Sequence, residues 1–269
     1  MATNKVPDSA YMKNSEFENW SLQKKEEVNF VVPTISSKTA EAIKRELKGM
    51  NLKFKRIKMP TGGATTFEIP TADPNNPKIL KELVGVILYH HPVNIFWKDK
   101  SLTNSQPDCF SLDGEKGIGN PGGKCSICPY NQFKSGAKAC KNTRRIYIII
   151  DRPFPYELNL PPTSLTNFMD YVTEYAGAGY LSYEIVTKIS LQRVTNKKGI
   201  AYAKATFSMA GVLDERTKGE MAKMAQSIEV LSQQATVIVP SENEEEDENV
   251  VLDNFEEAPQ NNDDDGLPF

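Results

Sequence analysis

Apolar and polar positions along this 269-residue chain change period several times, and each change predicts an element. Residues 1–35 are polar and mixed, with Trp20 and the Val28–Val32 run as docking points, and read as an N-terminal arm. Behind Ser36-Ser37, the residues Ala40, Ile43 and Leu47 recur at helical spacing until Gly49 stops the pattern. Lys53–Lys58 reads as a strand leading into the Thr61-Gly62-Gly63 turn, with Thr65–Ile69 as a return strand. Leu83–Tyr89 and Val93–Trp97 are β-rich segments broken near Pro92, apolar on both faces as a central, buried strand is. Asp99–Asn142 is long, Gly-rich and lacks either period, and Arg145–Ile150 is again a strand.

The second half of the body is more regular. Pro161-Pro162-Thr163 introduces a helix over Ser164–Ala176, with Leu165, Phe168, Met169 and Val172 as its apolar stripe and Gly177/Gly179 as its end. Tyr183–Thr195 and Ile200–Met209 form a hairpin around Asn196–Gly199. Its alternation sets Ile185, Ile189, Leu191, Ala203, Ala205 and Phe207 on one face and Lys188, Tyr202 and Lys204 on the other. A closing helix spans Asp214–Gln234 with Met221, Met224, Ala225, Ile228 and Leu231 inward. No internal repeat is evident. The elements predict an α+β fold, mainly antiparallel β. They fit a small β-barrel with flanking helices as well as other α+β arrangements, and the five-stranded oligonucleotide-binding (OB) barrel is the best candidate over residues 36–240.

Charge changes the picture. Ser241–Phe269 holds twelve carboxylates and no Lys, Arg or His, so the formal charge of −3 conceals a body of +9, with 32 basic against 23 acidic residues over 1–240. Such a tail cannot bury enough apolar surface to offset its ordering entropy, and its composition predicts disorder. A body that is 39% hydrophobic over the whole chain and 25% charged suits a soluble globular protein. No apolar run approaches the roughly 20 residues of a membrane span, and Met1–Lys5 opens no apolar signal core. A cytoplasmic protein is the expectation, in a bacterial host cell if phage-encoded.

All four cysteines, Cys109, Cys125, Cys128 and Cys140, fall in the Gly-rich 99–142 loop. Cys125-Ser126-Ile127-Cys128 is a CxxC knuckle, and the glycines around it let the outer two thiols approach. Four thiolates suit a structural Zn²⁺ and leave no open position for catalysis. An iron–sulfur cluster, a redox CxxC and unrelated buried thiols remain as alternatives. His90 and His91 sit in an apolar strand and are not needed as ligands. Gly117–Gly122 imitates a dinucleotide-binding GxGxxG, but Pro121 and the missing strand–helix context argue against it. No nucleophile–base set, Walker loop or HExxH is present, and a non-enzymatic protein is expected.

A groove for single strands needs cations for phosphates and aromatic faces for bases. The candidates are Lys53, Lys55, Arg56 and Lys58; Trp97 and Lys98; Arg144, Arg145 and Tyr147; and Lys188, Arg193, Tyr202 and Lys204.

The chain closes on Asp263-Asp264-Asp265-Gly266-Leu267-Pro268-Phe269. This resembles the acidic, Pro-Phe-ended C-terminal tip of the single-stranded DNA-binding proteins of bacteria and tailed phages. The resemblance implies that Asp263, Asp264, Asp265, Leu267, Pro268 and Phe269 recruit replication and recombination proteins. The basic body, cysteine knuckle and acidic tail together resemble the layout of phage replication members of that family. Their T4-type zinc site stands beside an OB fold and includes a His, where this chain has four Cys. The inserted Gly266 departs from the commonest bacterial spacing. The function implied is coating of single-stranded DNA in replication, recombination or repair. The alternative is a zinc-ribbon scaffold or regulatory protein that joins a replisome without coating DNA.

Overall fold

A computed structural model describes residues 30–33, 45–46, 54–99, 106–133, 138–196 and 199–234. The N-terminal arm apart from residues 30–33, most of the 38–48 helix, Lys53 and the tail with its tip therefore lie outside the described residues; Val32 is buried with Phe30 packed beside it, and Arg45 and Glu46 are helical. The architecture is mixed α+β, dominated by antiparallel strands, with two long helices among the described residues.

The spine is one long strand, β4 (Glu82–Phe96), where the sequence predicted two. β8 (Lys141–Ile149) runs antiparallel along one side of it, from Val86 opposite Ile149 to Ile95 opposite Lys141. The other side is shared. β10 (Ile185–Thr195) takes only Glu82–Gly85, and β5 (Cys109–Ser111) takes only Asn94–Phe96. Pro92 lies between those two stretches, where β4 has a strand neighbour on one side only. A proline is tolerated there because its missing N–H can face the side without a ladder.

Beyond β8 lies β9 (Tyr156–Leu160), and beyond that β1 (Lys55–Ile57), parallel to β9. Beyond β10 lies β11 (Ala201–Val212), in the hairpin register the sequence predicted, with Ile189 opposite Phe207 and Leu191 opposite Ala205. Asn196 closes the turn, its carbonyl accepting from Gly199 and its Oδ1 from Ile200. Two short strands, β2 (Phe67–Ile69) and β3 (Lys78–Leu80), pair with each other as a separate ribbon. β2 falls within the predicted return strand, but it pairs with β3, and its pairing with the strand before the turn is reduced to a lone bridge, Lys58 to Glu68.

The expected barrel does not close. Among the described residues β1 pairs only β9 and β11 pairs only β10, so these two strands do not join to close the sheet. The turn after β1 and the β2–β3 ribbon fill the gap instead. A Cβ on Gly63, which has φ +76°, would lie 3.0 Å from the Ala201 Cβ. Phe67 and Ile69 join Ile57, Leu83, Ile87, Ile146, Leu158, Phe168 and Ile189 in one core.

Helix α1 (Pro162–Gly177) closes that core. Its buried stripe is Ser164, Phe168, Tyr171 and Tyr175, rotated from the one expected, and Met169 is 48% exposed. The rotation has a polar cause. Ser164 Oγ accepts the Ala205 N–H at 2.9 Å and Asn167 Nδ2 donates to the Ala205 carbonyl at 2.8 Å, which satisfies the outer edge of β11. Tyr171 adds a buried hydroxyl contact to Thr187 at 2.8 Å.

The opposite face of β4 and β8 is covered by α2 (Glu215–Gln234), capped by Asp214 Oδ1, which accepts from Arg216 and Thr217 N–H. Met221, Ala225 and Ile228 are buried as predicted, against Val86, Leu88, Tyr147, Ile149 and Val186. No helix among the described residues is long and apolar enough to cross a membrane.

Candidate functional site

The cysteines lie at one end of the spine. Phe96 in β4 is opposite Cys109 in β5, and Cys109 is opposite Gly119 in β6 (Lys116–Gly119). β6 turns back into β7 (Gly123–Lys124), which delivers Cys125. A helical turn, Cys125–Ile127, then presents Cys128, whose N–H donates to the Cys125 carbonyl at 3.3 Å. Cys140 precedes β8, with its N–H bonded to the Tyr130 carbonyl at 2.7 Å. Asn131 Nδ2 and Gln132 Nε2 donate to the carbonyls of Cys125 and Ser126, which fixes the knuckle. Among the described residues no α-helix lies between β7 and β8, in keeping with the rejection of a dinucleotide loop.

All four cysteines line one small cavity with Phe96, Phe110, Gly117, Tyr130 and Asn131. None is in a disulfide. Gly117 is required there, because a Cβ would come within 2.9 Å of Cys109 Sγ. The Cys140 thiol is pushed up to about 12, first by burial and then by Cys125, Cys128 and Cys109. Thiolates crowded into such a space repel one another unless a cation lies between them. Among the described residues no set of three or more His, Cys, Asp or Glu side chains meets the geometry of a metal site. The four thiols thus share a cavity and suit a thiophilic ion in chemistry and number, without being drawn together as ligands.

The strands scatter the predicted nucleic-acid residues. Tyr147 is fully buried under α2, edge-on to Phe54 at 4.8 Å between ring centroids, and its hydroxyl is pushed up to about 12 by burial. Arg145 is 3% exposed and lies 3.4 Å from Glu157, itself 6% exposed. Arg56 joins the same carboxylate at 3.0 Å. Arg145 and Tyr147 are internal because β8 is covered on both faces, and Arg56, half-buried in β1, is tied to the same carboxylate as Arg145. Arg144 is half-buried; its Nε donates to His90 Nδ1 at 3.1 Å and its guanidinium stands 5.5 Å from the Phe168 ring.

Lys55 is exposed and its Nζ donates to the Thr71 carbonyl; Lys58 and Lys98 are exposed, and Trp97 is half-buried. On the hairpin, Lys188, Tyr202 and Lys204 share the outer face as expected, with Lys188 Nζ 3.6 Å from Glu82. Arg193 is opposite Ala203 and belongs to the other face. Lys55 and Lys58 belong to the β1 end of the strand order and the hairpin to the other, and the turn after β1 comes back to Ala201 and Arg193 of the hairpin.

Both histidines lie in β4 and are largely enclosed. His91 is 5% exposed, and its Nδ1 lies 2.8 Å from the Leu112 carbonyl. His90 is held to about 4, mostly by burial and then by Arg144.

The pattern of periods missed four exposed apolar side chains on the cysteine-bearing extension: Ile118, Ile127, Tyr130 and Phe133, exposed by 41–76%. The signal was available in composition, since Lys116–Ile150 contains no Asp or Glu. Comparison of the chain with protein-family models, with curated proteins and with solved structures finds no match.

Proposed function

We propose that the protein is a non-enzymatic single-stranded DNA-binding protein acting in replication, recombination or repair, with a structural zinc ion in the cysteine loop and a partner-binding acidic tip. The observation that carries this reading is the segregation of charge, +9 on residues 1–240 against twelve carboxylates on 241–269. A cationic body supplies the sequence-independent phosphate attraction that single strands need. Lys188, Tyr202 and Lys204 on the outer hairpin face add a ring and two cations, and Lys55, Lys58 and Lys98 are exposed.

Cys109, Cys125, Cys128 and Cys140 would hold the ion, which supplies no reaction; it would tie β5, the knuckle and β8 together in a loop with little apolar content. The tip residues Asp263, Asp264, Asp265, Leu267, Pro268 and Phe269 pair an apolar end with acids, a combination suited to capture by a basic, apolar pocket on replication or recombination proteins. The OB-like part of the reading is functional: an open, mainly antiparallel sheet can present strands and loops to a polyanion without barrel closure.

Titrating the full-length protein with labelled oligo(dT) and with a duplex of equal length tests the reading. A salt-sensitive, length-dependent preference for the single strand is expected. Binding to neither means that the protein is a scaffold, a reading that the 76% exposure of Ile127 would then favour.

A further inference from the structure

We infer that the outer surface of the cysteine knuckle is a base-stacking platform, with Tyr130 and Phe133 taking unpaired bases and Lys116, Lys124 and Lys138 taking phosphates; this rests on the single-strand-binding reading above.

Exposed aromatic rings fixed in place are uncommon on a folded surface and mark contact sites. Phe133 is 61% exposed and Tyr130 41%. Neither ring is loosely held. Tyr130 stacks on Phe96 with centroids 4.3 Å apart and planes 26° from parallel, and Lys138 Nζ stands 4.8 Å from the Phe133 ring centre. Lys138 is positioned in turn by donating to Asn142 Oδ1 at 3.1 Å. The side-chain-to-backbone bonds of Asn131 and Gln132 brace the turn between the two rings. Binding would therefore cost little ordering entropy at the aromatic contacts.

The charges around these rings favour a polyanion. Lys116 is directly opposite Lys124 in the β6–β7 ribbon, so both side chains leave the same face. Like charges directly across a ribbon destabilise it, and an anion lying over both removes that cost. No Asp or Glu occurs from Lys116 to Ile150, so no carboxylate of this segment competes for them. Asp113 accepts the Lys116 N–H at 2.9 Å and Glu115 precedes it, so the acids stand at the β6 end of the patch and not among Lys124, Tyr130, Phe133 and Lys138 in sequence. A ring beside a cation, as Phe133 is beside Lys138, matches the chemistry of a flexible phosphodiester chain whose bases are unpaired. A duplex keeps its base faces stacked and offers nothing to Tyr130 or Phe133.

The test uses the full-length protein, a fluorescent oligo(dT), an abasic deoxyribose-phosphate chain of equal length, and an oligonucleotide carrying 5-iodouracil. Phe133→Ala should weaken oligo(dT) binding about tenfold or more and leave binding of the abasic chain unchanged, since only the base stack is lost. Phe133→Trp should retain the wild-type affinity. Lys116→Gln with Lys124→Gln should weaken both ligands and reduce the salt slope by about 1.4, two phosphates at about 0.7 each. Photocross-links from the wild-type protein, which need no variant to fold, should map to residues 127–133. If oligo(dT) binds Phe133→Ala as it binds the wild type and the cross-links fall on 188–204, the platform is elsewhere while the single-strand reading stands. If the wild type binds no oligo(dT), the single-strand reading fails and takes this inference with it. A labelled acidic peptide that needs Phe133 for binding, with DNA affinity unaffected, would make the patch a protein-docking surface and overturn the inference.

Discussion

His90 shows how a residue that invites a catalytic reading is held in a structural one. Its Nδ1 accepts the Arg144 Nε–H, so the ring must be neutral with its proton on Nε2. Burial, reinforced by the Arg144 charge, lowers it from 6.5 to about 4, and burial also lowers its neighbour His91. Between those pH values the unfolded chain binds the extra proton and the folded chain does not. The stability held by a neutral His90 is therefore complete above pH 6.5, declines as pH falls toward 4, and levels off below that. The slope is up to about 1.4 kcal/mol per pH unit for one such group. Thermal melts of the wild type should lose stability between pH 6.5 and 4. His90→Gln, which keeps an acceptor for Arg144, should flatten that part of the profile and leave the residual His91 slope. Superimposable profiles would rule out His90 as the group responsible. Glu157, pinned between Arg56 and Arg145, lies on the opposite face of the sheet from His90, with His91 and Tyr147. Removing one partner of such a buried set costs about 3–5 kcal/mol, so these arginines are unsuited to trading contacts with DNA.

At the scale of elements, the cysteine-bearing extension from β5 to β7 depends most on something besides its own packing. Its strands are two to four residues long, and its apolar side chains Ile118, Ile127 and Phe133 point to solvent. With zinc bound, all four thiols should resist a thiol reagent until a chelator is added, and then react together. The chelated protein should melt at a lower temperature, and Cys125→Ser should reproduce that loss. A metal-free preparation with four reactive thiols and an unchanged melt would remove the ion from the account. Elements with a strong local period were legible in the sequence: the hairpin register and the Met221–Ile228 stripe hold as read. β4 was read as two strands because Pro92 breaks a strand only where its N–H is needed, and a one-sided ladder is not visible in sequence. Arg145 and Tyr147 could stand as groove candidates because alternation distinguishes inside from outside only in a sheet with one wet face. Here α1 and α2 cover both faces. The shared cysteine cavity was legible from spacing; the short strands that build it follow from non-local pairing.

At the scale of the molecule, the dominant feature is a +9 body on the same chain as twelve carboxylates. The 35 residues after Gln234 reach up to about 115 Å when extended, enough to bring the acidic stretch to any face of the described body. A tethered polyanion faces the body at high effective concentration and competes with an incoming nucleic acid for the same cations. Attraction between exposed charges is screened over about 10 Å at 0.1 M salt and about 3 Å at 1 M, so the competition must weaken as salt rises. Deleting residues 241–269 should therefore tighten oligo(dT) binding at low salt and change it little near 1 M. Replacing the twelve carboxylates by Asn and Gln should have the same effect as deletion, because charge and not tail length does the competing. Phe269→Ala should leave DNA affinity unaltered at every salt concentration while abolishing capture of a tip-binding partner. Equal low-salt affinity for the full-length and truncated proteins would show that body and tail do not compete. The charge segregation would then serve partner recruitment alone.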